Sequence, residues 1–404
     1  QGWQSWSPAL SLSLRQYDVA SGPPVEAPAE SERPLRRTGE LRSDEVTVLT
    51  DASGRSLLVG FETARRFVAQ VRIDRARAAL EAVCWTDGVP LDPGETLQAE
   101  RLVVDERGGA LEQLERYAMG TARAMHARAP GRVPTGWCSW YYYFTNVTEA
   151  DVVANLAALQ RLRDVLPVEC VQIDDGYQAE IGDWLRANDK FPRGMAWLAR
   201  EIRHAGFRPG VWLAPFLLGE RSQTYREHPD WVIGGGAGEP VLAMRNWGQR
   251  TFGLDGSRPD AVAWVRDLFR EVAEGWDYDY VKVDFLYGAA LAGRRADPRV
   301  PRVEAYRRLL GALREGVGPR RFVLGCGALM GASVGLVDGM RIGPDVAPWW
   351  RFQTKEEREG LAPRRRHPAR PAAGGEPATE AAVRNTMTRA WMHGRLWVND
   401  PDCL

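Results

Sequence analysis

From Pro134 onward the chain alternates short apolar runs with amphipathic stretches of helical length, and this alternation restricts the fold more than any other feature. "TGWCSWYYYF" precedes a helical segment opening at Thr148, where Asp151 stands at capping-box spacing and Val152, Leu156, Leu159 and Leu162 form an apolar stripe. "VECVQIDDGY" reads as the next strand. "GMAWLAREIRHAG" leads into "RPGVWLAPF", "RPDAVAWVRDLFREVAEG" into "YVKVDFLYG", and "EAYRRLLGALREGVG" into "RFVLGCGA", with further strand ends at "VDGMRIGPD" and "GRLWVNDPD". Repeated strand–helix units imply a parallel sheet, and about eight of them over residues 134–404 predict a closed (β/α)8 TIM barrel. An open doubly wound sheet is the alternative, disfavoured because no Gly-rich phosphate turn follows the first strand.

Residues 1–110 follow another pattern. Short β-rich pieces ("EVTVLTD", "SLLVGFE", "RFVAQVRI") alternate with Gly, Pro and Asp clusters, which predicts a partial antiparallel β-sandwich ahead of the barrel. Residues 111–133 read as a helical linker, helix-spaced through "LEQLERYAMGTARAMHAR" and broken at "APGRVP". The stretch 355–380, rich in Arg, Pro and Gly, reads as a solvated loop.

Charge narrows the partners. Basic and acidic side chains balance at 53 each, so no global field favours nucleic acid or an anionic membrane, and small neutral partners are expected. Five cysteines, at 84, 138, 170, 326 and 403, contain no C-x-x-C pair and meet no His cluster at zinc spacing. Free thiols in a cytoplasm are the expectation. No apolar run reaches the roughly 18 residues of a membrane span. The chain opens in mid-motif at "QGWQSWSPA" and stops at "NDPDCL", so both ends look cut.

The strand "YVKVDFLYG" carries two charges among apolar residues, and one of them is lysine, which occurs only at 190, 282 and 355 among 53 basic side chains. Side chains alternate along a strand, so Val281, Val283 and Phe285 are expected to face the helices while Lys282 and Asp284 face the barrel axis. At the carboxyl end of a barrel strand that means the mouth. Asp174 and Asp175 end the strand "VECVQIDDGY", Trp212 takes the inward face of its own strand, and Arg341 is followed by Asp345 in a Gly-Pro turn. Paired carboxylates flanking a bond are what glycoside hydrolysis needs, and further carboxylates with an aromatic face suit a sugar. Each Asp alone is as well explained by a cap or salt bridge; their coincidence at several strand ends carries the functional reading.

In these residues the chain resembles the bacterial α-galactosidases of glycoside hydrolase family 36. The resemblance runs in order through "GWCSWYYYF", "QIDDGYQAEIGDW", "VWLAPF", "EHPDW", "VKVDFLYGA", "LGCGA", "DGMRIGPDVAPWW" and "WVNDPDCL", with "WQSW" near the start. It implies a retaining double displacement with Asp284 as nucleophile and Asp345 as general acid/base. It further implies that Lys282 contacts sugar hydroxyls, that Asp174 and Asp175 hold the 4- and 6-hydroxyls of galactose, and that Arg341 and Cys326 lie by the 2-hydroxyl. Trp212 would line the sugar site and Trp6 would close it from above. Terminal α-D-galactosides of the melibiose and raffinose type are the implied substrates, with no metal or organic cofactor. Family members are often oligomers and carry a longer sandwich and a C-terminal β-domain, which this sequence is expected to hold incompletely or not at all.

Two expectations about charge follow. Lys282 beside Asp284 should keep that carboxylate ionised, and like charge nearby should raise the pKa of Asp345 so that it holds a proton. Blander roles stay open for Cys326, Trp349, Trp350, Asp183 and Trp184; Cys138 and Cys170 read as core and His228 as structural. One of Tyr141 to Tyr143 is expected at the mouth. Rival functions are an α-N-acetylgalactosaminidase, a transglycosidase of the raffinose-synthase type, and a non-catalytic sugar-binding barrel.

Overall fold

The computed structural model describes residues 2–11, 40–236, 238–351 and 378–403; nearly all of the loop expected at 355–380 lies outside them. Six strands come first: β1 (Glu40–Asp44), β2 (Val46–Thr50), β3 (Ser56–Phe61), β4 (Val68–Asp74), β5 (Ala79–Trp85) and β6 (Leu102–Asp105). They form two three-stranded antiparallel sheets, ordered β1-β4-β5 and β2-β3-β6. Alternation along β3 explains how these sheets meet. Val59 and Phe61 pack against Ala69 and Val71 of β4, while Leu58, on the opposite face, belongs to the main core of the molecule. The sandwich expected from the sequence is thus present as two small sheets. The helix Ala110–Met125 is more than a connection: the Tyr117 hydroxyl donates to Phe61 O at 2.6 Å and Gln113 Nε2 to Ser56 O at 2.8 Å, while Ala118 and Met125 enter the main core.

The remainder contributes β7 (Gly136–Cys138), β8 (Cys170–Ile173), β9 (Arg208–Leu213), β10 (Leu217–Gly219), β11 (Leu242–Asn246), β12 (Gln249–Gly253), β13 (Tyr280–Val283), β14 (Phe322–Gly325), β15 (Gly339–Arg341) and β16 (Val398–Asp400). Seven of these make one parallel sheet in the order β16-β15-β14-β13-β9-β8-β7. Helices between them bury their apolar stripes on it. Pro259–Arg270, with Pro at its start, buries Ala261, Val265, Leu268 and Phe269; each large apolar side chain so buried contributes about 1.5–3 kcal/mol. The helix Glu149–Arg161 has the expected capping box, Thr148 Oγ1 accepting from Asp151 N at 3.1 Å and Asp151 Oδ2 from Thr148 N at 2.9 Å. Its stripe ends one turn early: Val152, Leu156 and Leu159 are buried, whereas Leu162 is exposed.

Of the eight-stranded closed ring expected, the described residues show seven parallel strands, and the end strands β7 and β16 do not pair. Residues 217–253 leave this sheet for a separate antiparallel one, β10-β12-β11. The sheet nonetheless curls like a TIM-type barrel. The Tyr141 hydroxyl, just past β7, donates to Asp402 just past β16, and Trp140 Nε1 donates to Asp345 Oδ2 at 3.1 Å. Its two ends therefore approach each other at the carboxyl side.

Residues 2–11 strap across that side. Ser5 N donates to Ala328 O at 2.9 Å, and the buried Arg389 guanidinium donates to the carbonyls of Ser5 at 2.6 Å and Ser7 at 2.8 Å. Glu45 adds a second tie, accepting from Gly331 N at 2.6 Å.

Candidate active site

A cavity of about 210 Å³ opens at the carboxyl ends of the parallel strands, walled by Trp6, Trp140, Asp174, Asp175, Trp212, Asn246, Trp247, Lys282, Asp284, Phe285, Pro344 and Asp345. Its position follows from strand polarity: every parallel strand delivers its last residues to this one end. Seven of the nine residues expected from the sequence stand on its wall; Cys326 and Arg341 do not.

Lys282 and Asp174 form a buried ion pair, Nζ to Oδ2 at 2.9 Å, with 7% and 3% of their side chains exposed. Burial alone would pull the lysine pKa down, but Asp174, and further off Asp284, more than offset it and hold the ammonium charged well above its ordinary value. Direct pairing of Lys282 with Asp284 is thereby corrected. Residues two apart on a strand are about 7 Å from each other, and a lysine stem reaches more readily across the mouth to the end of β8. The oxygens of Asp284 are bound instead by Trp212 Nε1 at 3.0 Å and by Phe285 N at 2.8 Å. Asp174 is fixed further by Gln172 Nε2 at 2.6 Å and by the Cys138 thiol at 3.5 Å, so Cys138 is part of the site's support rather than only core.

Asp175 accepts from Gln178 Nε2 at 2.6 Å and from Trp247 Nε1 at 2.7 Å. Burial raises its pKa; those two hydrogen bonds oppose the rise, and the charges of Asp174 and Asp284 add to it. Trp247 escaped the sequence reading. It occupies the two-residue turn between β11 and β12, with φ 51°, followed by Gly248 with φ 66°. Such turns prefer Asn-Gly, and a tryptophan held at positive φ costs on the order of 1 kcal/mol or more. The signal was there in "NWGQ", where a bulky residue takes a place suited to a small one.

Phe285 also departs from expectation. β13 ends at Val283, and Phe285 turns to φ 51°, so its ring lines the cavity instead of facing the helices, edge-on to Trp6 at 5.2 Å and to Trp247 at 5.4 Å. Gly327 presses against it from below, where a Cβ would lie 3.1 Å from the Phe285 Cα and from Trp6. Cys326 is buried and accepts the Trp6 indole N–H at 3.2 Å, which places it behind Trp6.

Asp345 receives Trp140 Nε1 at 3.1 Å and Arg341 Nη2 at 3.1 Å. The expected raised pKa is not what the structure holds. Burial would raise it, yet the charge of Arg341, then that of Lys282, and the two hydrogen bonds outweigh burial and set it below the ordinary carboxylate value. The sequence reading weighed only the neighbouring carboxylates and overlooked a guanidinium four residues away. Among the open residues, Trp184 is buried edge-on to Trp212 at 5.8 Å, and Asp183 accepts from Gln223 N and Thr224 N, so both support the wall. His228 stacks on Trp231 at 3.8 Å, and of the three tyrosines Tyr141 is the one bonded at the mouth.

Replacing Lys282 by Met strands Asp174 as a buried, unpaired carboxylate. The expected loss of unfolding free energy is about 3 kcal/mol in a urea titration, and the double variant Lys282→Met/Asp174→Asn should recover much of it. An unchanged midpoint in the single variant would exclude a buried ion pair.

The melibiase family model matches residues 135–314. Among solved structures, the α-galactosidase TtGalA from Thermus thermophilus in complex with p-nitrophenyl α-D-galactopyranoside is 33% identical, with a TM-score of 0.76 over 100% of this chain and 74% of that one. The same enzyme in complex with stachyose aligns at 35% identity and TM-score 0.77, over 100% and 78%. The curated α-galactosidase AgaA of Geobacillus stearothermophilus is 28% identical over 265 residues, 61% of this chain but 35% of the relative. The chain thus spans about a third of that relative's length. No helix among the described residues is long and apolar enough to cross a membrane.

Proposed function

The chain belongs to the α-galactosidases of glycoside hydrolase family 36, and we propose that it hydrolyses terminal non-reducing α-D-galactosyl residues with retention, through Asp284 and Asp345. The observation that carries this reading is the pair of carboxylates facing one sugar-sized cavity from the ends of β13 and β15, each oriented by an indole N–H. Asp284, fixed by Trp212 and the Phe285 amide, attacks the anomeric carbon; Asp345 protonates the departing oxygen and then takes a proton from water. Lys282, Asp174 and Asp175 supply a charged rim for hydroxyls, and Trp6 and Trp212 supply aromatic faces. Cys326 and Arg341, set behind the wall against Trp6 and Asp345, lie on the 2-hydroxyl side of the sugar in this reading.

Oligosaccharides of the melibiose and raffinose type are the proposed substrates, supported by the nitrophenyl galactoside and stachyose in the TtGalA complexes. The eightfold barrel, the boundaries near 110 and 134, self-association and a cytoplasmic location belong to the same proposal. Release of galactose from melibiose, raffinose and nitrophenyl α-galactoside tests it. Faster hydrolysis of the nitrophenyl N-acetylgalactosaminide would point to the acetamido enzyme, galactosyl transfer exceeding hydrolysis to the transglycosidase, and no release to a binding barrel.

A further inference from the structure

Arg341 sits between two carboxylates. Its Nη2 lies 3.1 Å from Asp345 Oδ1 and 3.1 Å from Asp402 Oδ2, its side chain is 1% exposed, and its Nε, also buried, meets no acceptor. The two acids differ in setting. Asp345 faces the cavity with 38% of its side chain exposed, whereas Asp402 is 7% exposed and pinned by the Tyr141 hydroxyl and by Val346 N at 2.8 Å. On the proposed mechanism Asp345 gains and loses a proton in every turnover. Each time it is neutral, a fully buried guanidinium would stand uncompensated unless a second anion stays in place.

We propose that Asp402 is the positioning residue of Asp345, acting through Arg341 as the fixed counter-charge that remains when Asp345 carries its proton. Asp402 does not line the cavity, and its work is electrostatic: burial raises its pKa, while the charge of Arg341 and the Tyr141 hydrogen bond oppose the rise and favour its anion. The groups facing Asp345 are Arg341, Lys282, the Trp140 N–H and, past Arg341, Tyr141, Asp402 and Cys403; those facing Asp402 are Arg341, Asp345, Asp400, Tyr141, Cys403 and the Val346 amide. Removing the charge of Asp402 leaves Arg341 to Asp345 alone, which favours the Asp345 anion and lowers its pKa. The acid form is then lost at lower pH.

This inference rests on Asp345 being the acid/base, and the test separates the two. In Asp402→Asn the alkaline limb of kcat/KM should move down by about one pH unit, and melibiose, with its poor leaving group, should lose about ten times more rate than nitrophenyl α-galactoside. Asp402→Glu, which keeps the charge, should keep the limb near its wild-type position. Should Asp402→Asn fail to fold by circular dichroism, Tyr141→Phe serves instead, since it removes a hydrogen bond that stabilises the Asp402 anion and shifts the limb the same way. A limb that stays put in the folded variant, or equal losses on both substrates, overturns the proposal. Wild-type melibiose hydrolysis by Asp345→Asn would instead overturn the acid/base assignment.

Discussion

Asp284→Gly is expected to lower turnover of nitrophenyl α-galactoside by about 10⁴-fold or more, as loss of a covalent nucleophile does. Folding should survive. Asp284 stands past the end of β13, and its side chain accepts from Trp212 Nε1 and the Phe285 amide, with the Cys326 thiol beside it, so the change leaves an indole N–H and a backbone N–H without their acceptor, at about 1–3 kcal/mol each. On the proposed mechanism the space vacated lies on the side of the sugar opposite the leaving group. Azide entering it can form the bond that the carboxylate formed, with Asp345 still present to protonate the leaving oxygen. The product is then β-galactosyl azide, and turnover rises with azide concentration. Near-wild-type hydrolysis without azide would remove Asp284 from the mechanism.

What the sequence made legible follows from periodicity, and what it hid follows from geometry that periodicity does not encode. The strand alternation placed Lys282 and Asp284 inward and the parallel units brought Asp174, Trp212 and Asp345 to one end, because those inferences need only strand direction. It failed at Phe285, where the strand stops one residue before the site and the backbone turns to positive φ. It failed again for Trp140 and Trp247, whose roles depend on where a turn after β7 and a hairpin outside the main sheet land in space. Charge pairing was the least legible: Lys282 chose Asp174 over its strand neighbour, and Arg341 chose both Asp345 and Asp402, contacts that span 108 and 61 residues at their longest.

Asp345→Ala should separate the two halves of the reaction. Melibiose needs its leaving oxygen protonated, so its hydrolysis is expected to fall by about 10²–10⁴-fold, whereas nitrophenolate departs with little help. With the aryl substrate the second half then limits, because no carboxylate remains to take the proton from water; galactosyl-enzyme accumulates and KM falls with kcat. Azide, an anion that needs no base, attacks that intermediate from the face where water would, and the product is α-galactosyl azide, the opposite anomer from the Asp284 variant. The pH profile supplies the second readout. Arg341, Lys282 and the Trp140 N–H set the Asp345 pKa below the ordinary carboxylate value, so its protonated form shrinks as pH rises, and melibiose hydrolysis by the unaltered chain should decline toward alkaline pH. That limb should vanish from the aryl-substrate profile of Asp345→Ala, because no group remains there to lose the proton. A variant that kept the limb, or gave the β azide, would place the acid on another residue.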